Sequence, residues 1–444
     1  KAIDILLERQ LTFEMGSRRK ATLDDLLGNL YQFGRFQFHF FYDGLGERRA
    51  IDLLDIDPND PTIPLPHFVT GYPITEHILR VIINQVTDDL SVIQRAAEQR
   101  QISGTAAGEA ASASQENIFF ALGETDRMAL SVIRALATYI PNAENTTAIT
   151  YFYKSANVRV IPYMPVALIG VPMTLVGING HEVGVHDDLL AIPHEFGHYL
   201  YWNGEIAGER FYKRLARVAV DPLVHLWLEE IVADVVGCLV GGAAATFSFM
   251  ELLLGTIGNR FITTTDVHPT PALRPYLYFR VLEAMNQGAI AAKLRGWWEG
   301  KLSERAIFPS RPHLYAAYKL VDEILTLIPP DTIDAQWQWS SATELSDISG
   351  DFRAQKERIL QAIPIEDLDP PTRPRPADWH ALASQLTTTE GQDSVVDTLD
   401  PSWIATANSH NPGAAAVPQI AAKDWLRIFE SSGWTTGEPH GREP

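Results

Sequence analysis

His194-Glu195-Phe196-Gly197-His198 sits in an apolar run, with Leu190-Ala191-Ile192-Pro193 before it and Tyr199-Leu200-Tyr201-Trp202 after it. On a helix, residues four apart share a face and their Cβ atoms lie about 5–6 Å apart. His194 and His198 can therefore reach one ion together, while Glu195, one position along, can sit over the remaining coordination position. The HExxH spacing is that of a zinc site with a neighbouring general base. Pro193 limits how far the helix extends backwards, because a proline within a helix removes a hydrogen bond and bends the axis. The helix either kinks there or begins near Ile192.

A catalytic zinc ion takes three protein ligands. The third candidate is Glu230, in Leu228-Glu229-Glu230-Ile231-Val232-Ala233-Asp234-Val235-Val236-Gly237, whose apolar residues suit a buried helix. Asp234 follows Glu230 by one turn, placed to accept the free ring N–H of His194 or His198 and so fix its tautomer. Glu229 competes for the ligand role but has no carboxylate four residues on. The alternative is that Glu229, Glu230 and Asp234 form one solvated face. The apolar neighbours weigh against it, since an unpaired buried carboxylate is costly.

These segments, with the downstream His268-Pro269-Thr270-Pro271-Ala272-Leu273-Arg274, resemble the gluzincin metallopeptidases. The likeness is greatest to the group of CaaX prenyl endopeptidases and heat-shock membrane endopeptidases, which pair an E-x-x-A-D-x-x-G helix with an H-P-x-x-x-x-R segment. It covers roughly residues 150–290 and rests on three motifs in order. It implies a zincin-like core, one Zn2+ per chain held by His194, His198 and Glu230, and hydrolysis of peptide bonds with Glu195 as general base. The charge that develops on the scissile carbonyl needs a donor. His268 is the candidate, with Arg274, Tyr276 and Tyr278 behind it. The plainer readings are a turn residue before Pro269 and, for Arg274, an ion pair that braces the Glu230 helix.

A second cluster, His181-Glu182-Val183-Gly184-Val185-His186, has five-residue spacing and an internal glycine, which keep its rings off one helical face. It reads as a loop, with Asp187 or Asp188 capping the next helix. Asp55-Ile56-Asp57-Pro58-Asn59-Asp60 begins like a calcium loop, but Asp60 replaces the needed glycine and Pro66 stands where the bidentate glutamate belongs.

The chain of 444 residues is 46% hydrophobic, enough for a large core. Its net charge of −19 leaves no basic stripe to neutralise phosphates, so nucleic acid is not an expected partner. A single cysteine, Cys238, excludes an intrachain disulfide and fits a reducing cytoplasm. Residues 235–258 carry only Glu251 as a charge and reach the length of a membrane span, but Gly241-Gly242 interrupts them. Two buried helices joined at the glycines are expected rather than a span.

The pattern predicts an α+β protein, predominantly helical, with a small sheet ahead of the HExxH helix. Three regions are expected: residues 1–115, mainly helical with an aromatic β segment over Tyr31 to Tyr42; the metallopeptidase core over 116–328; and a Pro-rich extension over 329–444. Helices are predicted over 1–30, 75–102, 117–140, 205–219, 222–240, 243–257, 275–287, 290–306 and 312–328. Strands are predicted over 148–153, 158–163 and 166–176. An edge of that sheet can hold an extended peptide or protein substrate by its backbone, or the sheet can simply underlie the helices. The extension, with its Pro370-Pro371-Thr372-Arg373-Pro374-Arg375-Pro376 linker, is expected to wrap the core, occlude the cleft or receive a regulatory partner. The competing function is a zincin scaffold kept for binding, for which Glu195 would be needless.

Overall fold

The computed structural model describes residues 17–38, 74–100, 113–154, 156–161, 164–172, 190–219, 221–255, 261–262, 268–307 and 309–339. The calcium-like segment 55–60, the His181–His186 cluster with Asp187 and Asp188, and everything after residue 339 lie outside them. The described residues fall into two compact units, the first holding 17–38 and 74–100 and the second holding most of 113–339.

In the first unit, α1 (Ser17–Phe38) packs on α2 (Ile74–Glu98). Leu23, Leu26, Leu27 and Leu30 recur at helical spacing and are fully buried, as are Ile93 and Ala96 of α2. Tyr31 to Phe38, expected in a strand or hairpin, are helical instead. The Leu23–Leu30 stripe sets a 3.6-residue period, and the alternation of aromatics that follows is too short to override it.

The second unit begins with α3 (Ala113–Ala135) and three strands, β1 (Thr147–Tyr153), β2 (Asn157–Arg159) and β3 (Val166–Pro172). Their order is β1-β3-β2, with β1 parallel to β3 and β2 antiparallel to it. Parallel strands are covered on both faces and read as continuous apolar runs. Accordingly the first six residues of β1 and of β3 are all buried. Asp126 of α3 covers the outer edge of β1, accepting the Thr150 backbone N–H at 2.7 Å and its hydroxyl at 2.9 Å.

α4 (Ile192–Asn203) carries the HExxH residues and begins with Pro193 in its first turn, where a missing N–H costs nothing. A helix expected over 205–219 is instead a hairpin of β4 (Glu205–Ile206) and β5 (Glu209–Arg210), followed by the short α5 (Phe211–Ala216). Ala207 and Gly208 both take positive φ, as a two-residue hairpin turn requires. α6 (Pro222–Leu226) is capped by Asp221, whose carboxylate accepts the Leu223 and Val224 N–H groups.

α7 (Leu228–Leu254) is the central helix and packs most extensively on α4. It is the one described helix long and apolar enough to cross a membrane, and its most apolar window is wholly buried in the protein. Gly242 interrupts it with φ 59° and ψ −150°, so two helical halves meet at a kink, as the paired glycines predict. The halves fold back on each other. Thr246 lies 3.2 Å from Cys238, eight residues earlier, a separation that spans about 12 Å along a straight helix. A Cβ on Gly241 would stand 2.5 Å from that of Ala245, so this corner needs its small residues.

α8 (Arg274–Ala284), α9 (Gly288–Glu304) and α10 (Arg311–Leu327) complete the helical layer, with Leu277, Trp298, Val321 and Ile324 fully buried. Residues 328–339 then run back as a strap. The Asp334 N–H donates to Ala135 of α3, the Trp339 N–H to Val240 at the kink, and the Trp339 indole to Ser131. The described part of the second unit is therefore mainly helical with a small sheet.

Candidate metal centre

Close approach of α4 and α7 builds the site. A Cβ on Gly197 would lie 2.5 Å from Ala233 Cα, and one on Gly237 would lie 3.2 Å from His194 Cβ. Glu230, Ala233, Asp234 and Gly237 recur at helical spacing, so one face of α7 offers two small residues for contact and two carboxylates for chemistry. Phe196, Leu200, Ile231, Val232, Val235 and Val236 are fully buried around them. Each such side chain contributes about 1.5–3 kcal/mol over leaving it in water.

His194, His198 and Glu230 converge, with one ligand atom from each lying within 4.8 Å of the others. His194 Nε2 is 3.8 Å from Glu230 Oε2, and His198 Nε2 is 3.6 Å from Glu230 Oε1. Both rings thus turn Nε2 inward. Both turn Nδ1 outward onto a carboxylate, His194 toward Asp234 Oδ1 at 3.2 Å and His198 onto Glu229 Oε1 at 2.9 Å. Outer carboxylates of this kind fix the tautomer that leaves Nε2 free for a metal.

The donor set suits a divalent metal. Glu230 Oε2 is buried and accepts no hydrogen bond, although Arg274 Nη2 stands 3.3 Å away. Two imidazole nitrogens and a carboxylate oxygen are common zinc donors, and a tetrahedral ion wants them about 3.3 Å apart. The three donor atoms lie within 4.8 Å of one another, close enough for one ion to draw them in.

Asp234 is fully buried and heavily bonded. Arg274 reaches it with Nε at 2.9 Å from Oδ2 and Nη2 at 2.5 Å from Oδ1, and the Tyr278 hydroxyl donates to Oδ1 at 3.0 Å. Burial pushes the Asp234 carboxyl up, but Arg274 and His194 together outweigh it and hold the group below its ordinary range. Arg274 spans Glu230 and Asp234 and so braces α7. Arg274 and Tyr278 are one turn apart on α8. Tyr276, two residues on, faces away, within reach of the charges of Glu299 and Arg295, and packs edge-on against Phe279. The structure does not bring Tyr276 to the site.

His268, half exposed, places Nε2 3.0 Å from Glu230 Oε1. Burial works to raise the Glu230 carboxyl, but His268, His198 and Arg274 together hold it well below its ordinary value. Burial dominates at Glu195 and raises it, despite the lowering influence of His194 and His198. At His198, burial is outweighed by Glu229 and Glu230, and the imidazole is pushed up to about 10.

Two contributors were not legible from motifs. Glu229 reads in the sequence as a rival ligand or as part of a solvated face, yet it is the partner of His198. Phe249, twelve residues beyond Gly237, packs its ring 5.1 Å from that of His194 and 6.1 Å from that of Tyr278. A straight α7 would carry it about 18 Å further along; only the Gly242 kink returns it to the metal centre. The paired glycines were the available signal for a break, but not for its direction.

Comparison with protein-family models, curated proteins and solved structures finds no match to this chain.

Proposed function

We propose that the chain is a zinc-dependent metallopeptidase of the gluzincin kind, with a zincin-like core, hydrolysing peptide bonds in peptide or protein substrates. The observation that carries it is the buried convergence of His194, His198 and Glu230, with Glu195 beside it on the same helix.

Zinc held by these three residues supplies Lewis acidity and brings the pKa of a water toward about 7. Glu195 takes the proton from the attacking water and passes it to the leaving amine. Its raised pKa suits that exchange, because a base works best when its pKa approaches the working pH. His268, half exposed and 3.0 Å from Glu230 Oε1, which raises its imidazole against the effect of burial, is placed to donate to the carbonyl oxygen as charge develops there. Arg274 and Tyr278 hold Asp234, and Asp234 holds His194. Among the described residues β2 is an edge strand of the sheet, and α4 packs on β2 and β3. Backbone groups along such an edge favour an extended peptide over a small molecule.

Metal content by mass spectrometry of wild type and Glu230→Ala, with casein cleavage in parallel, tests this. One zinc per chain, lost in the variant, together with chelator-sensitive cleavage is the expected result. Wild type that takes up no zinc on reconstitution would refute the proposal; zinc without cleavage would leave a binding scaffold as the better reading.

A further inference from the structure

We propose that Glu229 is the positioning residue of His198, the ligand on the open side of the metal centre, and that it governs how tightly the metal is held there. This rests on the zinc reading above and adds a fourth carboxylate to it.

The two ligand histidines are held unequally. His194 turns Nδ1 to within 3.2 Å of Asp234 without a formed hydrogen bond, and Asp234 is fully buried and shared with Arg274 and Tyr278. Its orientation is therefore built into the packing of α4, α7 and α8. His198 donates its Nδ1–H to Glu229 Oε1 at 2.9 Å, and the Glu229 side chain is 29% exposed. Among the described residues no Arg or Lys pairs with Glu229. One oxygen, on a side chain reaching into solvent, thus fixes the ring that must present Nε2 to the ion.

The sequence position enforces this. Glu229 precedes Glu230 in the first turn of α7, so their side chains diverge by about 100° around the axis. Glu230 turns into the cluster and Glu229 turns past it to the outer face of the His198 ring. The two acids contact opposite nitrogens of one imidazole, Glu230 Oε1 at 3.6 Å from Nε2 and Glu229 Oε1 at 2.9 Å from Nδ1. Losing an outer carboxylate of this type weakens metal binding by about 10–100-fold. With Glu229 partly exposed and lightly bonded, its replacement disturbs the fold less than that of Asp234.

Zinc dissociation constants by competition with a chromophoric chelator, and the visible spectrum of the cobalt-substituted protein, are to be measured for wild type, Glu229→Gln and Glu229→Ala. Glu229→Ala is expected to weaken zinc binding by about 10–100-fold. Glu229→Gln keeps an acceptor oxygen without its charge and should fall between, with altered cobalt bands in both. Equal affinity and one unchanged cobalt spectrum across the three proteins would overturn the assignment while leaving the zinc reading intact. A wild type that binds neither metal would overturn both. If Glu229→Ala fails to fold, the near-isosteric Glu229→Gln decides alone.

Discussion

Gly197 and Ala233 meet backbone to backbone: a Cβ on the glycine would lie 2.5 Å from Ala233 Cα and 3.2 Å from its carbonyl oxygen. The residue between Glu195 and His198 that carries no chemistry therefore sets the distance from which Glu230 reaches both imidazoles.

Gly197→Ala is expected to push α4 off α7. Overpacking of this sort costs about 1–3 kcal/mol, and here the obstacle is main chain, so the upper end applies. Denaturant unfolding and a zinc titration should both register the loss. Wild-type values in both would mean that the helices can separate freely.

Gly296 and Gly300 on α9 have open space where a Cβ would stand. Alanine at either position should stabilise the protein by about 0.4–1 kcal/mol, largely by reducing the freedom of the unfolded chain. A rise in the denaturation midpoint with unchanged slope is the expected signature.

Asp234→Asn should do double damage. Breaking a buried pair from one side costs about 3–5 kcal/mol, because Arg274 is left short of its counter-charge. Metal affinity should drop by about 10–100-fold through His194. Zinc binding by this variant at wild-type strength would argue that Asp234 serves only the fold.

Glu195→Gln should retain a full equivalent of zinc and lose about 10²–10⁴-fold in rate. An active variant would remove Glu195 as the base, whatever the metal content.

Cys238 donates to the Tyr278 carbonyl, contacts Thr246 and is 2% exposed. Burial pushes its thiol up to about 12, so between pH 6 and 9 it stays protonated and shielded. Native protein should resist thiol reagents throughout that range, with labelling appearing only on unfolding. Rapid labelling of folded protein near pH 8 would show that the corner at Gly242 opens.

Which residues gather at the candidate site was largely legible in the sequence, while the way distant pieces meet was not. HExxH spacing, a buried acid-bearing helix and Asp234 one turn on each follow from helical periodicity. Ala233 and Gly237 looked like motif letters and prove to be the contact surface for Gly197 and His194. Tyr276 and Tyr278 cannot be told apart until Arg274 fixes the face of α8. The hairpin at 205–210 escaped because its turn is Ala-Gly rather than the more telling Asn-Gly or Asp-Gly. Glu229 and Phe249 depend on where two helices cross and on which way a kink turns, and neither leaves a periodic trace.

The strap has a consequence for synthesis. Gln338 reaches Leu239, 99 residues upstream, and Trp339 reaches Ser131, 208 residues upstream. With chain elongation at about 5–20 residues per second, the helix bearing Glu230 waits roughly 5–20 s before the segment that secures its corner has been made. Through that interval an apolar 27-residue helix lacks its last cover. A nascent chain halted between residues 255 and 330 should therefore be the form most exposed to chaperones, and the His194–His198–Glu230 cluster should mature only after Trp339 has left the ribosome.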